Sequence, residues 1–598
     1  MIVFCHLESM RNTTTNWMSG DACTTTWYGL TCNNSAVTGL DLGYNFLGGS
    51  IPSEMGLLSG ITSGFNLRSN SLTGMVPSEF GLMTSMTGYL YLNSNQLTGT
   101  LPSEFGLWSA MTSYFGLNYN QLTGAVPSEL GLWSSMRSYF VLRCNQLSGS
   151  LPSELGLWTA MTGNRYDLLE NQLSGSLPSE LGLMTGMAGL FILYGNELTG
   201  SLPSELGLWA GMTGNVRLHG NELTGSLPSE LGLWTGITTN FYVQYNQFTG
   251  SLPSEFGMWT GMTGVFAVDY NELTGSLPTE FGLWTVMAKS FRLNVNELTG
   301  RLPSELGLWT SMTSNFRLQY NDFNGSLPTE IGLWTGMTTS FLLQYNSLTG
   351  SLPSEFGLWT GMTSAFHLEH NELTGSLPSE LGLWTRMTYN VELDTNELSG
   401  SLPSELGLWV GMTSDFRVQA NALTGSLPSE FGLWTSMSDY FRLDNNELTG
   451  SLPSEFGLWT RITNQFSLHA NDLTGRLPSE FGLWTNMTSQ FTLYSNQFTG
   501  SLPSQLGAWT RMSSYYNLYS NEFCADIPSE LTALSTQITA GWDVTTGNSL
   551  GTFCPTPAPT MSLGPTSTPT PLPTTLPSPH PTSLPTSQPT TLPTPQPT

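Results

Sequence analysis

A 25-residue period governs this sequence. Asn recurs at 45, 70, 95, 120 and 145, then every 25 residues from 171 to 521, giving 20 copies. The single break is one extra residue between Trp158 and Asn171. One copy, from Asn271 to Leu293, reads NELTGSLPTEFGLWTVMAKSFRL. Proline gives the same count independently: of 35 prolines, 15 lie in the last 44 residues, which leaves one per unit. So short a unit cannot bury an apolar side alone, and a core exists only where units stack.

Within the unit, F-x-L-x-x-N alternates apolar and polar residues, as in Phe316-Arg317-Leu318-Gln319-Tyr320-Asn321. Period two predicts a short half-buried strand, with Phe316 and Leu318 inward. An Asn at the end of every strand predicts a buried ladder, its amide bonding backbone groups of adjacent turns. The following L-T-G-S-L-P-S-E predicts a turn at Gly and a fixed bend at Pro. G-L-W-T-G-M-T is too short for a stable helix and predicts one 3₁₀ or helical turn.

The pattern L-x-x-N-x-L-T-G-x-[IL]-P-S-E-[LF]-G-L, repeated over residues 40 to 531, resembles the plant-type leucine-rich repeat family. Trp17, Cys23, Trp27, Tyr28, Gly29 and Cys32 resemble that family's N-terminal cap. The resemblance implies an α/β repeat solenoid: a right-handed superhelix with a parallel β-sheet on its concave side and 3₁₀ or short turns on its convex side. The expected layout is a cap over 1–39, repeats over 40–523, a second cap over 524–554 and a tail over 555–598. This chain departs from the family in two ways. Its unit has 25 residues rather than the usual 24, with the extra one just before the strand, and Trp replaces the usual Leu in 16 units from Trp108 to Trp509.

Cys23 and Cys32 sit in the cap pattern, while Cys524 and Cys554 bracket the C-terminal cap. Two local pairs at the two ends suit disulfides of an oxidising compartment. Asn12, Asn33, Asn324 and Asn486 begin N-x-S/T sequons for glycosylation. The start, MIVFCHLESMRN, lacks a secretory n-region and h-region, so an incomplete N-terminus is expected alongside a secreted, cell-surface or cell-wall location. Cys5 and Cys144 are left over, with no assigned role. The last 44 residues hold 15 Pro, 13 Thr and 5 Ser. That composition predicts an extended, disordered segment, read either as a linker or as a glycosylated stalk attached to a cell wall.

No nucleophile elbow, Walker loop, H-E-x-x-H or kinase signature occurs, and the chain reads as a non-enzyme without cofactor or metal. Its net charge of −27, from 43 acids against 16 bases, disfavours nucleic acid as a partner. No apolar run reaches the roughly 18 residues of a membrane span.

The repeats differ from one another chiefly at the three x positions of F-x-L-x-x-N. These 60 positions hold 7 of 15 Arg, 11 of 20 Tyr and 4 of 6 His. Tyr and Arg are the residue types enriched at interface hot spots. The expected ligand is an extracellular peptide, protein or glycan, held near the middle of the array by Tyr242, Tyr245, Tyr270, Arg292, Arg317, Tyr320, Tyr345, His367 and His370. Arg217, Arg417 and Arg442 extend the strip on either side. Tyr and Arg there are expected to stack on sugars or grip carboxylates. The Glu of P-S-E, present in 19 of 20 units, forms an acidic ladder that favours solubility or collects Ca²⁺. Two other functions fit the sequence. One is a structural wall protein acting through the tail. The other is an ice-binding protein using Thr stripes such as Thr310 and Thr313.

Overall fold

The computed structural model describes Cys23, residues 28–34 and residues 36–554. The expected positions Asn12, Trp17, Trp27 and Cys5, and the 555–598 tail, lie outside the described residues.

The strands stack into one 22-stranded sheet. It opens with Leu30–Asn33 antiparallel to Ala36–Asp41 and continues in parallel, unit on unit. Ser314–Arg317 pairs with Thr339–Leu342, for example, with Phe316 opposite Phe341 and Arg317 opposite Leu342. The last strand, Ala540–Asp543, pairs with Ser514–Asn517 and carries the sheet into the C-terminal cap. Formal strands are short, but the backbone ladder runs on. The Leu318 amide donates to the Leu342 carbonyl at 2.9 Å, and that of Tyr320 to Gln344 at 3.0 Å.

The structure corrects two local readings. The stretch expected to turn at Gly is a second parallel sheet, in which Glu297–Arg301 pairs with Glu272–Ser276 and with Asp322–Ser326. Identical units in register let extended backbone groups find partners in the neighbouring turn, and Gly300 (φ +79°) bends within that ladder. The 3₁₀ turn lies earlier than G-L-W-T, at Ser304–Leu308 directly after Pro303. Proline sets φ and needs no amide partner, so the turn starts there. Among the described residues, the one α-helix is Ser529–Ser535, in the C-terminal cap.

Three side-chain ladders bind one unit to the next. Asn321 donates from Nδ2 to the Leu293 and Leu318 carbonyls, both at 3.0 Å, and accepts from the Leu298 amide at 3.0 Å. This is the ladder expected from the Asn period. Trp309 is fully buried; its Nε1 donates to the Phe281 carbonyl at 2.8 Å and its ring stacks on Trp284 and Trp334 at 6.0 Å. Phe316 stacks on Phe291 and Phe341 alongside. The close stacking needs a glycine below: a Cβ on Gly307 would come within 2.4 Å of the Glu330 Cβ. Disulfides Cys23–Cys32 and Cys524–Cys554 close the two ends, as expected.

Candidate ligand-binding face

The x positions form three columns across the concave sheet. The last of them, just before Asn, is not extended. In all 20 units it is left-handed, with φ between +50° and +68°. That turn lifts the side chain out of the sheet. Tyr245, Tyr270, Tyr320 and Tyr345 are 41–51% exposed there. They stack in sequence order: Tyr245 on Tyr270 at 4.5 Å, Tyr320 on Tyr345 at 4.5 Å, and Tyr345 on His370 at 4.3 Å. Val295 separates the two groups. Stacked rings cover one another's faces, so a ligand lying along the array meets ring edges and hydroxyls. The column is therefore a hydrogen-bonding ridge more than a stacking platform for sugars.

The middle column was not singled out by residue type. Gln244, Asp269, Asn294, Gln319, Gln344 and Glu369 occupy it in six consecutive units. Each has a buried side-chain oxygen without a hydrogen-bond partner in the protein. Adjacent parallel strands lie about 4.8 Å apart, so these six form an evenly spaced row of acceptors. No single residue in the row looks functional; the signal lay in reading the column down the array.

The first column carries five of the seven arginines, including those at the centre of the array. Arg292 and Arg317 face each other in register. Arg292 is answered by Asp269 at 2.6 Å, while Arg317 reaches only the neutral Asn315 at 2.8 Å. Burial, followed by the repulsion of Arg292, holds the Arg317 guanidinium below its ordinary pKa. Burial also raises Asp269 against the pull of Arg292, so desolvation outweighs their ion pair. Arg417 is held by Asp415 and lies 3.6 Å from Glu392, and Arg442 is paired with Asp444 at 3.2 Å. Arg217 packs on the Tyr242 ring at 5.5 Å, with no carboxylate within ion-pair distance. Hence Arg217 and Arg317 are the expected cations left open to a ligand's carboxylate. Arg292, Arg417 and Arg442 are already neutralised.

His367 Nδ1 lies 3.9 Å from Glu369 Oε1. Burial, then Arg417, lowers His367 to about 4, and burial raises Glu369 to about 8, so the two are neutral neighbours rather than an ion pair at pH 7. Burial, then Arg217 and Arg292, lowers His219 to about 4. Cys144 is a free thiol that burial and Glu170 push to about 11.

The other faces are nearly copied from unit to unit. Most of the P-S-E glutamates are exposed, and from Glu79 on each lies beside its own serine or threonine hydroxyl, as Glu305 is beside Ser304 at 3.4 Å. A shallow groove next to them is lined by repeated Ser, Leu, Pro and Glu, including Ser226, Pro228, Ser251 and Glu255. Thr310 is exposed, but the Thr313 hydroxyl donates to the Ala288 carbonyl of the unit before. Asn33 and Asn324 are exposed. Asn486 is engaged, donating to the Thr460 carbonyl at 3.1 Å and accepting from Arg511 at 2.9 Å. No described helix is long and apolar enough to cross a membrane.

The family model for the Leucine Rich Repeat matches residues 88–108. No curated protein matches the chain. Among solved structures, the plant peptide hormone receptor RGFR1 in complex with RGF2 is 26% identical, covers 88% of this chain and 91% of its own, and superposes with a TM-score of 0.67. The Arabidopsis receptor kinase HAESA in complex with the peptide hormone IDA and the co-receptor SERK1 is 25% identical, covers 90% of each chain, and gives a TM-score of 0.66. A TDR receptor, 23% identical over 90% of this chain and 93% of its own, shares the fold with a TM-score of 0.71. With the Asn ladder, the second sheet and the repeat pattern, these matches show that the chain has the leucine-rich-repeat solenoid fold and is similar to those plant receptors.

Proposed function

We propose that the protein is an extracellular recognition module that binds an extended peptide, or a peptide segment of a protein, along its concave face. One observation carries this reading: six consecutive units present a row of unpartnered acceptors beside Arg317, a guanidinium with no carboxylate of its own. A peptide supplies amide donors for the row and a carboxylate for Arg317. The stacked tyrosines add hydroxyls along one edge. Two of the similar structures are described as peptide-hormone receptors, which favours a peptide over a glycan. The end disulfides fit an oxidising compartment.

The test is binding of the secreted solenoid to arrays of extracellular peptides, proteins and glycans. A saturable peptide hit should weaken at least about 100-fold in the triple variant Arg317→Ala, Gln319→Ala, Tyr320→Ala, because an interface centre loses about 2–4 kcal/mol per hot spot. Unchanged affinity in that variant, with its melting intact, would move the site elsewhere. A glycan-only hit would replace the ligand class.

A further inference from the structure

We propose that His367, Glu369 and Glu392 form a binding site for one divalent transition-metal ion of the zinc class. Six His in 598 residues is sparse, so composition does not announce the site. The sheet brings them together. His367 and Glu392 are register partners on adjacent parallel strands, so their side chains share a face one strand spacing apart. Glu369 follows His367 by two residues, on the same side of the sheet. One ligand atom from each of the three lies within 4.8 Å of the other two.

Unsatisfied chemistry at the same place points to a ligand. The Glu369 side chain is only 10% exposed, and its Oε2 is buried without a partner. His367 Nε2 is also buried without a partner. Two further acids, Asp394 and Asp415, stand near, with Arg417 among them and Arg442 acting on Asp394. Arg417 lies 3.6 Å from Glu392 and is also held by Asp415, so Glu392 shares its cation with a second carboxylate and is open to a stronger partner. The His469–Asp444 pair, 3.5 Å apart, contrasts with this cluster: Arg442 also binds Asp444 and Thr492 lies 3.4 Å from His469 Nδ1.

An imidazole with two carboxylates suits zinc-class ions rather than Ca²⁺ or Mg²⁺, which prefer all-oxygen sets. Metal–ligand distances of about 2.0–2.2 Å need donor atoms no more than about 4 Å apart, so the three side chains close in slightly by rotamer adjustment. Three protein ligands leave a tetrahedral position open on the concave surface, where water or a ligand carboxylate would complete the shell. The site does not depend on the peptide reading, since it is measured with the metal alone.

The experiment titrates the full chain with ZnCl₂ by calorimetry and with CoCl₂ by visible absorption. The expected result is one saturable site per chain, with a cobalt ligand-field band. Both should weaken at least about tenfold in His367→Ala and in Glu369→Gln, since even losing an outer-shell partner has that effect. Glu369→Gln replaces a buried, unpartnered carboxyl that is neutral at pH 7 with an amide of the same shape, so it should melt close to the parent and reports on binding rather than folding. Absence of saturable Zn²⁺ and Co²⁺ binding overturns the proposal. So does equal binding by parent and both variants, which would place the ions on the exposed glutamate ladder, and so does binding of Ca²⁺ or Mg²⁺ without Zn²⁺.

Discussion

The units up to Asn296 and those from Asn321 onward accommodate the same extra residue differently. In the later nine, the residue before the inward aromatic or valine is left-handed, from Asn315 to Tyr515, with φ between +54° and +59°. The strands are then four residues long and skip it, pairing Ser314 with Thr339 and Phe316 with Phe341. This is a bulge repeated in register down the sheet. The earlier units have no such bulge. Their sheet thins to two residues at Val216–Arg217 and Phe241–Tyr242. Side chains repair it there: the Asn240 amide donates to Asn215 Oδ1 at 3.1 Å, and the Val265 amide to Asn240 Oδ1 at 2.9 Å. None of the nine left-handed residues is Gly, although each non-Gly residue in that region costs about 1–2 kcal/mol. Continuity with two neighbours outweighs the preference of one residue.

The largest effect that bears on this contrast comes from the tryptophan stack, unbroken from Trp209 to Trp509 and interrupted upstream at Met184. Trp434→Ala should cost about 3–5 kcal/mol and Met184→Ala less, measured by urea unfolding and local hydrogen exchange. Equal losses would mean that the continuous stack adds nothing beyond burial. A smaller pair of changes should differ in sign. Ala365→Gly, at a left-handed bulge, should stabilise by about 0.5–1 kcal/mol, the relief of strain exceeding the added unfolded-state entropy. Ser290→Gly, in an earlier strand that is not left-handed, should destabilise by a similar amount. Melting shifts of the same sign would collapse the two classes into one.

The remaining effect, absent at neutral pH, is on pH dependence in the thin stretch. Folded His219 protonates near 4 against 6.5 for the free side chain, so the unfolded chain binds the extra proton between those values. Stability should therefore fall as pH drops from 6.5 towards 4, and His219→Gln should remove its share of the fall. A melting profile against pH that is identical in that variant would show His219 to be as well hydrated as a free imidazole.

The solenoid was legible because its signals repeat: Asn321 and its equivalents announced the amide ladder, and Phe316 and Leu318 the inward face. The second sheet was not legible. Gly and Thr in L-T-G argue locally for a turn, and only the neighbouring copy supplies the partners that keep it extended. The left-handed column before Asn was hidden for a related reason. Tyr320, Val295 and Thr395 are poor residues for that conformation, and Gly195 and Gly220 alone hinted at it. On the candidate face, residue types singled out a strip but not which of its groups are free. Arg292 and Arg317 look alike in sequence. Asp269, 23 residues before Arg292, is what distinguishes them.

Each Asn side chain bonds its own unit and the unit before, and receives the same bonds from the unit after on the equivalent backbone groups, so the two sides of any internal unit are complementary to every other. Nothing in the fold then fixes how many units the chain contains. Excising or inserting 25 residues rejoins matching surfaces, and the caps never register the difference. The solenoid is in that sense a graduated ruler, marked at about 4.8 Å per unit. A partner that touches two stations, such as the Arg317 strip and the His367 cluster, reads the count between them. Adding or removing a unit there would retune spacing while leaving the chemistry of both stations untouched.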